Sequence, residues 1–204
     1  LSASEFFGTT DQFKRDIITE ISATLAFSAI QNNDKVGLLL FSDEIELFIP
    51  PKKGKSHVLR IIRELIEFQP KSKKTDIAMA LRYLSQVMKK KAIVFLLSDF
   101  MDDEYDSPLK IASKRHDITG IRIYDKYEVE MPKIGIVPME DVETGNVILV
   151  NTNNRNIRNN YKANYLENVD YFETVFSKSG AGTISTRVDE GYVKKLLGYF
   201  KRRN

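Results

Sequence analysis

Four side chains place oxygen donors where an α/β fold would collect them. They are Ser2 and Ser4 at the start of the chain, Thr75 where a loop meets a helical pattern, and Asp99 directly after an apolar run. Open parallel sheets bind ligands at the carboxyl ends of their strands, and these clusters are expected at that edge. Three hydroxyls and one carboxylate are hard ligands. Such a set suits magnesium, which takes octahedral oxygen coordination and keeps some of its waters. Residue by residue, the same side chains also have a plainer use, since serine and threonine in such loops usually cap helices and an aspartate after a strand caps or turns the chain. Soft-metal and thiolate chemistry is unsupported, because the chain has no cysteine and two histidines.

A second use of magnesium is open. Asp99, Asp102, Asp103 and Asp106 form an acidic stretch that could hold a catalytic ion for phosphoester hydrolysis. A solvated acidic loop explains the same residues. No G-x-S-x-G elbow, phosphate-binding G-x-x-x-x-G-K-[ST] or H-E-x-x-H pattern occurs. His57 and His116 stand alone and are expected on the surface or packed against helices.

The chain carries a net charge of +3, with lysines grouped at 52–55, 71–74 and 89–91. No aromatic residues interleave with them, so they read as solvated loops and helix ends rather than a nucleic-acid face. Lys73 and Lys74 flank Thr75. They would draw an acidic partner toward it while opposing a cation there.

The elements that must position these residues follow from periodicity. Helical and strand patterns alternate, which predicts an α/β fold with a mostly parallel sheet flanked by helices in three layers. Thr9 and Gln12 have capping-box spacing, so a first helix is expected from about Thr9, with Phe13, Ile17, Ile21 and Leu25 as its buried stripe. Val36–Phe41 reads as a strand and Glu44–Ile49 as its return, stopped by Pro50 and Pro51. Val58 to Ile66 marks a second helix. Thr75 is expected to cap a third, with Ile77, Leu81, Leu84 and Met88 inside. Ala92–Leu97 is the clearest buried strand, followed by a short helix at 109–113 and a strand at 118–124. Segments 134–139 and 147–150 predict an inserted hairpin closed near Thr144-Gly145-Asn146. A long helix from Ile157 to Phe176, a short strand at 183–186 and a terminal helix complete one domain over residues 1–204, with Arg155 and Arg158 expected on the long helix's exposed face.

Hydrophobic residues make up 42% and charged residues 29%, ordinary for a globular chain. No apolar run approaches the roughly 20 residues of a membrane helix, and the start lacks a secretory signal pattern. A cytoplasmic setting is expected, or a membrane-associated one if upstream segments span.

Several segments resemble a known family. Leu1-Ser-Ala-Ser4 resembles the tail of the D-x-S-x-S motif of von Willebrand factor A domains, Thr75–Leu81 their threonine segment, and Leu96-Leu-Ser-Asp99 their second aspartate segment. Glu5–Gly8, Asp34–Ser42, Ile49–Gly54 and Tyr199–Arg203 are more closely similar to the bacterial family called domain of unknown function 58. The resemblance implies a metal-ion-dependent adhesion site in which Ser2 and Ser4 hold magnesium directly, Thr75 directly or through water and Asp99 usually through water, while a partner protein supplies a carboxylate. It also implies a non-enzymatic scaffold or adaptor, with a MoxR-type AAA+ ATPase as partner; a fold with a degenerate metal site, acting through shape alone, stays open as the alternative. The motif's first aspartate would precede Leu1 and is not in the chain, nor is the central strand that carries it. Metal binding by residues 1–204 is therefore expected to be weak or absent. An apolar slot is expected in the sheet, filled by a neighbouring chain or another segment, with self-association of the fragment as one outcome.

Overall fold

The structure, a computed structural model, describes residues 3–72, 74–140 and 147–203, and the side chains of 13–72, 74–139 and 147–202. Helix α1 (Ala3–Gln31) begins before Thr9, the start expected from its capping spacing. Between Ala3 and Thr9 the only weak helix former is Gly8, which costs about 1 kcal/mol in a helix interior. The inner face of α1 carries Ile17, Ile18, Ile21 and Leu25. Phe13, expected on that stripe, is exposed, and Lys14 takes the inward position one turn before Ile18.

Strand β1 (Val36–Phe41) pairs antiparallel with β2 (Ile45–Lys52). Pro50 and Pro51 do not stop β2. Leu38 faces Ile49 and Val36 faces Lys52, so the register shifts across the prolines and no ladder N–H is required of them on this edge strand. Helix α2 (Lys55–Glu67) covers the pair through Ile61 and Leu65 against Ile49. Helix α3 (Ile77–Val87) is capped by Asp76 rather than Thr75, with the Met79 N–H donating to Asp76 Oδ1 at 2.6 Å.

Strand β3 (Ile93–Ser98), helix α4 (Asp106–Ser113), strand β4 (Asp117–Tyr124) and the one-turn α5 (Lys126–Val129) follow. Next come the hairpin β5 (Ile136–Glu140) and β6 (Val147–Asn151), helix α6 (Arg155–Lys178), strand β7 (Gly182–Arg187) and helix α7 (Tyr192–Arg203). The hairpin insertion is present as expected, and its turn at Thr144-Gly145-Asn146 lies outside the described residues. Arg158 is half-buried rather than exposed, and donates to the Thr152 carbonyl at 2.7 Å.

Strands β3, β4 and β7 form a parallel sheet in that order, with Ser98 opposite Arg122 and Arg122 opposite Ser185. Its two faces bury different helices, giving three layers. On one face Leu96, Phe100 and Ile118 pack with Ile77 and Leu81 of α3, Leu109 of α4, and Phe172 and Phe176 of α6. On the other, Ile121, Ile123 and Ile184 meet Ile21 of α1 and Leu196 of α7.

β3 is covered on both faces, as its apolar sequence predicts, with Val94 and Leu96 in the core on the α6 side and Phe95 and Leu97 against the core on the α1 and α7 side. It borders the sheet, and Ile93 is 67% exposed. Among the described residues β1 and β3 do not pair. Between them runs a cleft of about 2810 Å³, lined by Val36–Phe41 and Ile93–Ser98. An interruption of the sheet is thus present where the slot was expected.

Two close approaches fix the layers. A Cβ at Gly120 would lie 2.6 Å from the Phe176 ring, and one at Gly182 would lie 1.9 Å from the Tyr199 hydroxyl. That hydroxyl shares a 2.9 Å hydrogen bond with Thr119. Gly120→Ala is expected to destabilise the fold by about 1–3 kcal/mol through overpacking. In urea titrations this should appear as a lower midpoint at unchanged slope.

His116 is buried, and neither ring nitrogen has a hydrogen-bond partner among the described residues. Burial, and secondarily the charge of Arg115, hold its pKa below the ordinary 6.5. The unfolded chain therefore takes up a proton at a pH where the folded one does not. The contribution is complete above about pH 6.5 and is lost as pH falls below it toward the folded value. His116→Leu should narrow the difference in thermal midpoint between about pH 7.5 and about pH 5.5.

Candidate functional site

Asp99 stands at the carboxyl end of β3, and the turn behind it is held from the core. Phe100 adopts a left-handed backbone with φ 56°, uncommon for a bulky residue. Its ring is buried, with its centroid 4.3 Å from that of Phe172 and 5.3 Å from that of Phe176. The Phe100 N–H donates to Ser98 Oγ at 3.2 Å. The Ser98 hydroxyl and the Met101 N–H each donate to Asp99 Oδ1 at 3.4 Å. Aromatic packing thus aims Asp99 away from α6 and into the cleft, where its side chain remains 37% exposed.

The other oxygen of Asp99 is already answered. Lys14 Nζ donates to Asp99 Oδ2 at 3.2 Å and also to Glu128 Oε1. Lys14 is 13% exposed and Glu128 24%. Glu128 is fixed from behind, because its Oε2 accepts the Asp125 N–H at 2.9 Å while Asp125 Oδ1 accepts the Tyr127 N–H, a capping box that opens α5. Burial alone would lower the Lys14 pKa, but the carboxylates of Asp99 and Glu128 outweigh it and raise the pKa above its ordinary value. Burial raises the Glu128 pKa despite the opposing pull of Lys14. The two directions fit one picture: a single ammonium serves two acids, and the drier acid bears the desolvation.

Thr75 is exposed and lines the same cleft as Asp99, Lys14 and Glu128. Lys74 is exposed on that lining as well. Ser2 and Lys73 lie outside the described residues. Ser4 lies in α1, and its side chain is outside them.

Asp102 closes the loop after Asp99 onto α3. Its Oδ2 accepts the Ile77 N–H at 2.7 Å and its Oδ1 the Asp103 N–H at 2.9 Å. Burial raises its pKa, with smaller repulsion from Asp76 and Asp103. Asp103 and Asp106 are exposed, and Asp106 is the first residue of α4. The acidic stretch thus caps helices and faces solvent. Among the described residues no group of three His, Asp or Glu could hold a metal, so the phosphoester reading gains no support. His57 Nε2 lies 2.9 Å from the Val36 carbonyl, a packing role.

The donors from Thr75 and Asp99, with Ser42, Ser98 and Asp102 on the same lining, are hard oxygens that fit magnesium. Lys14 is the feature that stands against a second cation at Asp99.

Sequence reasoning missed Lys14 and Glu128. Both left a signal: a lysine three and four residues before Ile17 and Ile18 on an apolar stripe needs an anion beside it. Asp125-x-x-Glu128 after a buried strand has capping-box spacing.

The three-layer α/β fold with its parallel sheet between helices is consistent with the von Willebrand factor A-like class. The chain belongs to the family described as protein of unknown function DUF58, whose model matches residues 1–170. Uncharacterized proteins of Mycobacterium bovis and Mycobacterium tuberculosis are 24% identical to it over 207 residues, covering 100% of this chain. The chain spans 65% of the length of these curated relatives. An uncharacterized protein of Mycobacterium avium is 26% identical over 159 residues, covering 76% of this chain and 93% of its own. Among solved structures, the conserved hypothetical protein BatB from Bacteroides thetaiotaomicron shares the fold, with a TM-score of 0.50 at 17% identity over 91% of this chain and 86% of that one.

Glu128→Gln is expected to cost about 1–2 kcal/mol by weakening the hold on the buried ammonium. Glu130→Gln, which breaks an exposed pair with Lys162, serves as the control and should leave the urea midpoint unchanged.

Proposed function

We propose that the chain is a non-enzymatic protein-binding module of the adhesion-site kind, working as a scaffold or adaptor. Ser2, Ser4, Thr75 and Asp99 would hold magnesium, whose chemistry when bound is to accept a carboxylate from a partner protein. The observation that carries this reading is the shared cleft. Thr75 and Asp99 come from separate loops and both line the cleft that runs along β3. Asp99 is aimed there by the buried Phe100 turn, and Lys74 adds positive charge beside Thr75 that would attract an acidic partner. From the family resemblance, the partner proposed is a MoxR-type AAA+ ATPase. No described helix is long and apolar enough to cross a membrane.

In the whole protein we propose that a further β-strand lies in the cleft and pairs with the free edges of β1 and β3. This would place the strand's end beside Ser98 and Asp99, and would cover Ile93, the exposed apolar residue of β3.

One preparation tests both ideas: a chain extended upstream of Leu1. Calorimetric titration with magnesium chloride should show binding that Ser4→Ala and Asp99→Ala each weaken by about tenfold or more. Equal affinity in all three chains would discard the site. Capture of the partner ATPase should be lost in chelator. Backbone amides of Val94–Ser98 should exchange more slowly in the extended chain than in residues 1–204, and equal exchange would remove the added strand.

A further inference from the structure

Lys14 has no part in holding magnesium, yet its ammonium sits on the carboxylate that would. Three features make this a built contact. The inner face of α1 is pinned by Ile17, Ile18, Ile21 and Leu25 against the β4 and β7 side of the sheet, so the helix delivers Lys14 to the carboxyl edge. Glu128 cannot follow a moving lysine, since its second oxygen is tied to the Asp125 backbone. All three line the cleft, with Asp99 the most exposed at 37% against 13% for Lys14 and 24% for Glu128.

A divalent ion held at Asp99, directly or through a water, would meet an ammonium 3.2 Å from the same carboxylate. Like charges at that separation exclude one another in a partly dry site. The lysine stem has four rotatable carbons, so the ammonium can leave Asp99 while keeping Glu128.

We propose that Lys14 is a built-in competitor at the cation site. Its ammonium neutralises Asp99 and Glu128 when no metal is bound, and must swing off Asp99 before a divalent ion can enter. This rests on Asp99 being a metal ligand. It predicts two states of the edge: one closed by Lys14 and one open to the ion and to a partner's carboxylate.

The test uses the chain extended upstream of Leu1, with magnesium chloride as the probe. Lys14→Met and Lys14→Gln should each bind magnesium about tenfold more tightly than wild type, and Asp99→Ala should bind little. A second measurement does not depend on affinity. Acetylation of Lys14 by an amine-reactive ester, followed by peptide mass spectrometry, should be slow in metal-free protein. It should quicken on saturation with magnesium, and quicken without magnesium in Asp99→Asn.

If the Lys14 variants bind magnesium no more tightly than wild type while Asp99→Ala abolishes binding, the competition is wrong and the site stands. If no chain binds magnesium, both are wrong. Acetylation that stays slow at saturating magnesium also overturns the proposal, since the ammonium would then remain on its acids beside the bound ion. Should Lys14→Met fold poorly, Lys14→Gln and the acetylation measurement decide.

Discussion

Parallel strands have to be covered on both faces, and in this chain that demand falls on β4. Its central residues are buried from Ile118 to Ile123, with α6 on one side and α1 and α7 on the other. The cover is close because the strands give way where the helices press hardest. Gly120 admits the Phe172 and Phe176 rings, and Gly182 admits Tyr199. Once β4 is held in this way, β3 and β7 take their register from it. All three strands then end at one edge, bringing Ser98 level with Arg122 and Ser185. The candidate site is a consequence of that alignment.

The layers were legible in the sequence where the signal was an apolar run or a long period. The runs at β3 and β4 and the repeat from Ile157 to Phe176 all appear as elements of the expected type. Errors arose where tertiary contacts decide between neighbouring residues. Thr75 and Asp76 are both good caps. Asp76 takes the position, with Asp102 reaching from another loop to the Ile77 N–H. Pro50 and Pro51 read as a stop, but at a register shift on an edge strand nothing requires their missing N–H. Phe13 and Lys14 compete for one face of α1. Hydrophobicity favours the phenylalanine, but the lysine wins because two carboxylates wait for it on the inner side.

The same distinction governs the site. Donor types and their order along the chain singled out Thr75 and Asp99 as candidates, and both line the cleft. Charge balance could not be read in this way. Lys14, Asp99 and Glu128 come from three separate elements, and only the folded sheet edge makes them neighbours. Nor does an apolar run say how many neighbours a strand has. β3 has the composition of a central strand, yet among the described residues it borders the sheet, with Ile93 exposed at its start.

The edge is held unequally from its two sides. On the α6 side Asp99 is backed by a left-handed residue locked among aromatic rings, an arrangement with little freedom. On the cleft side β3 has no paired strand among the described residues, and the only strong tie on Asp99 is a flexible lysine. Any adjustment of the site must therefore come from the cleft side: from a strand pairing with β3, from movement of the lysine stem, or from both together. A strand laid along β3 would end beside Asp99 and Lys14, so filling the cleft and freeing the carboxylate would be coupled through contact.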